Sequence, residues 1–336
     1  MGAEITGYAL PSSGEPNLFR IFDVEPRLTR SILADIRDRA ALEQALCQAQ
    51  PEVVIHMAAQ PLVRRSYRDP VETYETNVLG TLHLLEAVRT AVAKGIAVKA
   101  VLNVTTDKCY DNKEGMWGYR ETDPLGGYDP YSSSKACSEL VTAAYRTSYF
   151  HPDRYGEHGV SVATARAGNV IGGGDGSEDR LIPDCLRALQ AYSKVLIRRP
   201  DAVRPWQHVL EPLHGYLLLA ERMVQEGPAF AAAWNFGPGE NSARTVERVA
   251  AKLGELWGQP DFYEADTGIH PHEAMNLTLD STKARQLLGW RPLWTVEQAI
   301  EKIVEWHQGY LEHRDVRAIG LQQIEAYLSG MSNSPE

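Results

Sequence analysis

Long apolar runs are missing from this chain. No window approaches the roughly 18 uninterrupted apolar residues of a membrane span, so no transmembrane helix and no membrane partner are expected. Cysteine is scarce. The four present, Cys47, Cys109, Cys137 and Cys185, lie far apart and form no CxxC pair. That spacing suits reduced thiols better than a disulfide framework or a zinc site, and no metal is expected. Surplus positive charge is missing too: the formal net charge is −10, which argues against nucleic acid as a partner while leaving room for one local basic pocket. The first residues show no basic-then-apolar secretory pattern, so the expected location is the cytoplasm. Repeats and low-complexity tracts are absent.

What is present is globular. With 43% hydrophobic and 23% charged residues, the 336-residue chain suits one large or two closely joined domains. The opening MGAEITGYAL reads as a turn leaving a helix and then a buried strand, ITGYAL. From residue 28 to about 170, helix and strand patterns alternate. DIRDRAALEQALCQAQ builds a helix, and PEVVIHMAA is an apolar strand ending in small residues. DPVETYETNVLGTLHLLEAVRTAVAK is a long amphipathic helix with Asp69 as N-cap and Pro70 at its first position. VKAVLNVTT, the helix PYSSSKACSELVTAAYRTSYF and VSVATARAGNVIG follow. Nearly continuous Val/Ile/Leu runs between helices indicate a parallel sheet covered on both faces. Beyond residue 170, shorter elements with more Arg, Trp, Pro and His indicate a smaller, loop-rich domain, and SNSPE reads as a frayed tail. Ligands of such sheets sit at the carboxyl ends of strands, which here are HMAAQP, NVTTDKCY and ARAGNVIGGGD.

The most informative local feature is Tyr131-Ser132-Ser133-Ser134-Lys135, because residues four apart share one helix face. A neighbouring ammonium favours the phenolate and lowers the tyrosine pKa. A surface Tyr and Lys sharing a helix by chance is the competing reading of that motif alone. Thr105 and Thr106 at a strand end, followed by Asp107 and Lys108, and Asn77 inside the preceding helix add to it.

In this order these residues resemble the extended short-chain dehydrogenase/reductase family, as does DSTKARQLLGWRPLWTVEQAI near the C-terminus. HMAAQPLVRRSYRDPVETYETNV, TTDKCYDNKEGMWGYRETDPLGGYDPYSSSK, ARAGNVIGGGD and RPWQHVLEPLHGYLLLA resemble, more narrowly, the CDP-glucose 4,6-dehydratase family. The resemblance implies an α/β fold: a Rossmann-like doubly wound parallel sheet over 1–170 with its first strand missing. It also implies a smaller substrate domain over 171–336, from which segments near 205–236 return to the first. Members of the family begin with a strand, a glycine-rich TGxxGFxG turn and a helix, whereas this chain opens near the end of that helix. Loss of the central strand would separate strands 2 and 3 from strand 4. Loss of the backbone donors at the helix N-terminus predicts weak NAD binding.

The activity implied is conversion of a nucleotide sugar, CDP-glucose, to its 4-keto-6-deoxy form with internally recycled NAD. In that scheme Tyr131 takes the C4 hydroxyl proton, Lys135 supports the phenolate and meets the nicotinamide ribose, and Thr106 bonds the same hydroxyl. Asp107 protonates the departing C6 hydroxyl, which requires a neutral acid. Lys108 is the C5 base, or merely pairs with Asp107 or steadies the enolate. Implied cofactor contacts are Asp35, Ile36, Ala58, Ala59, Gln60, Asn77, Thr105, Tyr131, Lys135 and Arg166. Instead of an acid at the end of strand 2, GYALPS offers Ser12 and Ser13. Substrate candidates are Asn169, Arg180, Arg204, Gln207, His208 and His272, since arginine forks suit a diphosphate. Of the adjacent Arg198 and Arg199, at most one is expected to face inward. Gly176 stands where the family usually has Trp. The HPH triplet at His270–His272 reads as a loop or substrate contact. A homodimer through two long helices per subunit is expected. Two other readings stay open: a nucleotide-sugar epimerase or reductase on the same fold, and a catalytically silent copy that dimerises with a complete one.

Overall fold

A computed structural model of the protein describes residues 2–12, 14–239, 243–268 and 270–332. Ser13 and the tail after residue 332 therefore lie outside the described residues. The chain begins with β1 (Thr6–Ala9), a short α1 (Leu18–Ile21), β2 (Arg30–Leu33) and α2 (Arg39–Ala49). Then come β3 (Val53–His56), α3 (Val63–Arg68), α4 (Pro70–Tyr74), α5 (Gly80–Ala93) and β4 (Ala100–Val104). Asp69 caps α4 by accepting from the Glu72 N–H, with Pro70 at the first position. A π-turn over Glu75–Leu79 joins α4 to α5, so the long helix expected there is continuous but locally wider.

Next are α6 (Pro130–Ser148), α7 (Tyr155–His158) and β5 (Ser161–Ala167). Strands β3, β4, β5 and β10 (Ala233–Phe236) form one parallel sheet in the order β10-β5-β4-β3. Its central strands are buried on both faces, and alternate residues go to different cores. Ala100 and Leu102 of β4, with Ala163 and Ala165 of β5, pack against Leu219, Met223 and Trp290. Val101 and Val162 point the other way, against Leu84, Leu85 and Val88 of α5. Strands β1 and β2 pair in parallel as a separate two-stranded sheet. Tyr8 and Val54 nevertheless pack on the same core, so both sheets share it. The break falls between β1 and β3, where the sequence reading places it. Leu10, Val53, Ile55 and Met57 are exposed along these edges.

The later chain contributes β6 (Val170–Ile171), α8 (Leu181–Gln190), β7 (Val195–Ile197), β8 (Val203–Pro205), β9 (Gln207–His208) and α9 (Leu210–Glu226). After β10 follow β11 (Ala243–Thr245), α10 (Val246–Trp257), β12 (Tyr263–Ala265), α11 (Val296–Leu311) and α12 (Val316–Ser332). Helices α8, α10 and α11 enclose a second core around Leu189, Leu253 and Ile300. Pairs β6–β9, β7–β12 and β8–β11 stitch the connecting loops. Among the described residues no helix is long and apolar enough to cross a membrane.

Helix α12 is held by one buried carboxylate. Glu211 on α9 accepts from the N–H groups of Leu293 (2.9 Å) and Trp294 (2.7 Å) and from the Tyr327 hydroxyl (2.6 Å). Hydrogen bonds to charged groups contribute about 1.5–3 kcal/mol each, so Tyr327→Phe is expected to destabilise the protein by that amount. Urea unfolding checks this, and an unchanged midpoint would contradict it.

Candidate active site

Strand β4 delivers Thr105 and Thr106 to the sheet edge, where the chain turns through a 3-10 segment at Asp107–Cys109. Thr106 caps that turn by accepting from the Lys108 N–H (3.4 Å) and donates its hydroxyl to Asp107 Oδ1 (2.9 Å). Helix α6 starts beside it because Asp129 accepts from the Ser132 N–H and Pro130 occupies the first position. This start places Tyr131 in the first turn, where its hydroxyl hydrogen-bonds Thr106. Lys135, one turn on, donates to the Val104 carbonyl at 3.0 Å. A cleft of about 880 Å³ opens over these groups, walled by Thr106, Asp107, Lys108 and Tyr131 on one side and by residues of α8, β7 and the 272–277 loop on the other. Asp107 is buried, and its Oδ2 has no partner. Lys108 is half-buried on the wall and forms no ion pair with Asp107, which removes the simplest alternative to a chemical role.

The electrostatics differ from the sequence expectation at one point. Burial pushes the Tyr131 phenol up to about 12, only partly opposed by the Thr106 hydrogen bond. Lys135 does not lower it, because the amine is turned to the Val104 carbonyl. Burial in turn brings the Lys135 amine down to about 8, against the pull of Glu139.

The remaining predicted residues divide by position. Asn169, Arg180, Arg204 and His272 line the cleft with Thr105. Asn169 Oδ1 is unpartnered, Arg180 lies 3.7 Å from Asp175, and the His272 ring packs on Tyr128 with centroids 4.0 Å apart. Ala58 and Ala59 sit in the loop after β3, between cleft-lining Met57 and Pro61. Asn77, aimed by the π-turn, clasps Gln60 by accepting from its N–H (2.8 Å) and donating to its carbonyl (3.0 Å). The polar ends of both side chains are thereby engaged within the protein, and their effect on a ligand is to fix the loop. Asp35 is locked to Arg37, and Ile36 is buried against Gly80.

Three assignments need correction. The Arg166 guanidinium, expected at the cofactor, is spent on Glu139, Tyr110 and the Glu121 carbonyl inside the protein. Gln207 and His208, expected at the substrate, are buried outside the cleft wall. Gln207 donates to the Phe236 carbonyl, and His208 packs edge-on against Trp294. The pairing of β9 with β6 turns both side chains inward, which no short-range pattern reveals.

Sequence reasoning missed the charges across the cleft mouth. Asp179 faces Arg64, Arg68 and Arg198, while Arg198 also reaches Glu273. Of the adjacent arginines 198 and 199, only Arg198 lines the cleft. His270 pairs with Asp266 (2.9 Å) and Arg64 (3.1 Å). Gly176 has its reason too: a Cβ there would lie 2.6 Å from the Glu15 carbonyl oxygen, so the 14–16 loop fills the space.

A family model described as GDP-mannose 4,6 dehydratase matches residues 20–303. A CDP-glucose 4,6-dehydratase of Salmonella typhimurium is 50% identical over 98% of this chain and 90% of its own length. This chain belongs to the nucleotide-sugar 4,6-dehydratase family. A more distant member, dTDP-glucose 4,6-dehydratase 1 of Escherichia coli, is 29% identical over 82% of this chain and 77% of its own. Among solved structures, the dTDP-glucose 4,6-dehydratase of Streptomyces venezuelae with NAD and TYD bound superposes with a TM-score of 0.77. It is 25% identical, covering 94% of this chain and 90% of that one.

The buried histidines behind this family's sheet edge set an acid limit. Burial lowers His56 to about 3 and His208 to about 4. Below pH 6.5 the unfolded chain binds protons that these folded sites refuse, so stability falls as pH drops. The slope is about 1.4 kcal/mol per pH unit per histidine until the folded pKa is reached. Unfolding midpoints between pH 6.5 and 4 are expected to show a shallower decline in His208→Phe, and an identical decline would refute the assignment.

Proposed function

We propose that this chain converts CDP-glucose to CDP-4-keto-6-deoxyglucose. The observation carrying the reading is the meeting of Thr106, Asp107 and Tyr131 on one cleft wall in a chain half-identical to a CDP-glucose 4,6-dehydratase. Tyr131 receives the C4 hydroxyl proton, with Thr106 holding the same hydroxyl. The 4-ketone acidifies C5, Lys108 removes that proton, and the free oxygen of Asp107 delivers one to the departing C6 hydroxyl. Arg180, Arg204 and Asn169 bind the substrate's diphosphate and sugar. NAD, when bound, accepts hydride and gives it back, leaving the reaction redox-neutral. Tyr131 and Lys135, with the loop held by Asn77, fit its nicotinamide end. Among the described residues no glycine-rich turn opens a helix beside that loop, so weak hold on the pyrophosphate is expected.

The test incubates CDP-glucose with the chain and follows the alkaline absorbance of a 4-keto sugar. Turnover is expected to require added NAD, and full turnover without it would contradict the weak hold. Tyr131→Phe should lower kcat by about 10²–10⁴-fold. Lys108→Ala should abolish solvent-hydrogen exchange at C5, and persistence of that exchange would sink the base assignment.

The division near residue 170 is also proposed, on the separate cores around the sheet and around α8, α10 and α11. Later elements α9 and β10 return to the sheet. The reduced cysteines suit a cytoplasmic enzyme. A homodimer is supported by exposed Val71, Leu79 and Leu140 around an apolar depression on α4, the π-turn and α6. Val71→Glu with Leu140→Glu is expected to yield monomer in sedimentation equilibrium, and an unchanged mass would reject this face.

A further inference from the structure

Glu139 lies on α6 one turn beyond Lys135 and two beyond Tyr131, so the three share a face. Its carboxylate is 3% exposed and accepts four hydrogen bonds. The donors are Thr105 Oγ1, Thr164 Oγ1 (2.7 Å), and Arg166 Nε (2.9 Å) and Nη2 (2.8 Å). Arg166 continues to the Tyr110 hydroxyl (2.8 Å), which donates to Asn235 Oδ1 (2.7 Å). One carboxylate thus ties the helix of the YxxxK pair to β4, β5 and β10.

A buried ion pair of this kind is weak evidence for stability, because apolar residues of similar volume often do as well. Its placement is more informative. The titratable and charged groups around Lys135 are Tyr131 and Glu139 on α6, Asp107 and Cys109 on the turn after β4, Arg166 on β5 and His56 on β3. Cys109 is kept a neutral thiol by burial, and burial keeps His56 neutral as well. The Tyr131 phenol is protonated, and Asp107 is engaged with Thr106. Glu139 is therefore the anion that acts on the Lys135 ammonium.

We propose that Glu139 is a positioning residue that keeps buried Lys135 protonated at neutral pH while fixing Thr105 beside it. The use of that charge rests on the dehydratase reading above, but the charge itself does not. It is measured on the unliganded protein, so failure here and failure of the dehydratase reading are told apart.

The experiment is an NMR titration of the protein carrying ¹³C,¹⁵N-labelled lysine, with the Lys135 signal assigned by its loss in Lys135→Arg. The wild-type midpoint is expected near pH 8. Glu139→Gln keeps the shape and removes the charge, and should lower the midpoint by about one pH unit. Glu139→Asp, which keeps the charge, should restore it. Thr105→Val removes one hydrogen bond but not the charge and should leave the midpoint in place. Should Glu139→Gln fail to fold with Arg166 unpaired, the neutral pair Glu139→Gln/Arg166→Met gives the same reading. An unmoved midpoint in the Gln variant or the neutral pair, or an equal drop in Thr105→Val, would overturn the proposal.

Discussion

The structure depends on parallel strand pairing. When β3, β4 and β5 run side by side in one direction with helices on both faces, their carboxyl ends emerge at one edge. That edge gathers Met57–Pro61, Thr105–Lys108 and the 167–172 segment around one cleft, although they are far apart in sequence. The helices returning the chain to the sheet bring Tyr131 and Lys135 to the same place. A cap made by Asp129 and Pro130 then decides which turn of α6 faces the ligand.

Around that edge, burial outweighs local charge. The phenol is hard to ionise and the neighbouring amine gives up its proton comparatively easily, so the empty cleft holds the pair in an unreactive balance. Arginine–carboxylate pairing works at two depths. At the mouth, Asp179 and Glu273 hold arginines in half-exposed pairs that solvent weakens. Behind the sheet edge, Glu139 and Arg166 form a pair only a few per cent exposed, with every carboxylate lone pair engaged.

Much of this was legible in the sequence because it was periodic or local. The apolar runs of β4 and β5, the Asp69–Pro70 and Asp129–Pro130 helix starts, and the four-residue spacing of Tyr131 and Lys135 are short-range signals that survived folding. What was not legible depended on which neighbour a side chain met. Arg166 occupies a strand end like its ligand-facing neighbours, yet Glu139, 27 residues away, claims it. Gln207 and His208 were misread because a two-residue pairing with Val170 and Ile171 fixes their direction. Asp179 and Arg64 are separated by 115 residues, and nothing in either neighbourhood announces the other.

The π-turn at Glu75–Leu79 has a further consequence for the chain's tolerance of change. Such a turn is an α-helix with one residue too many, and each α-helical residue rotates the axis by about 100°. Removing any single residue between 75 and 79 would let the helix close into regular spacing. Either Asn77 would swing away from Gln60, or Leu84, Leu85 and Val88 would turn off the core they fill. Side chains in this stretch can vary with local effects, but its length is a gauge on which the alignment of a whole helix rests.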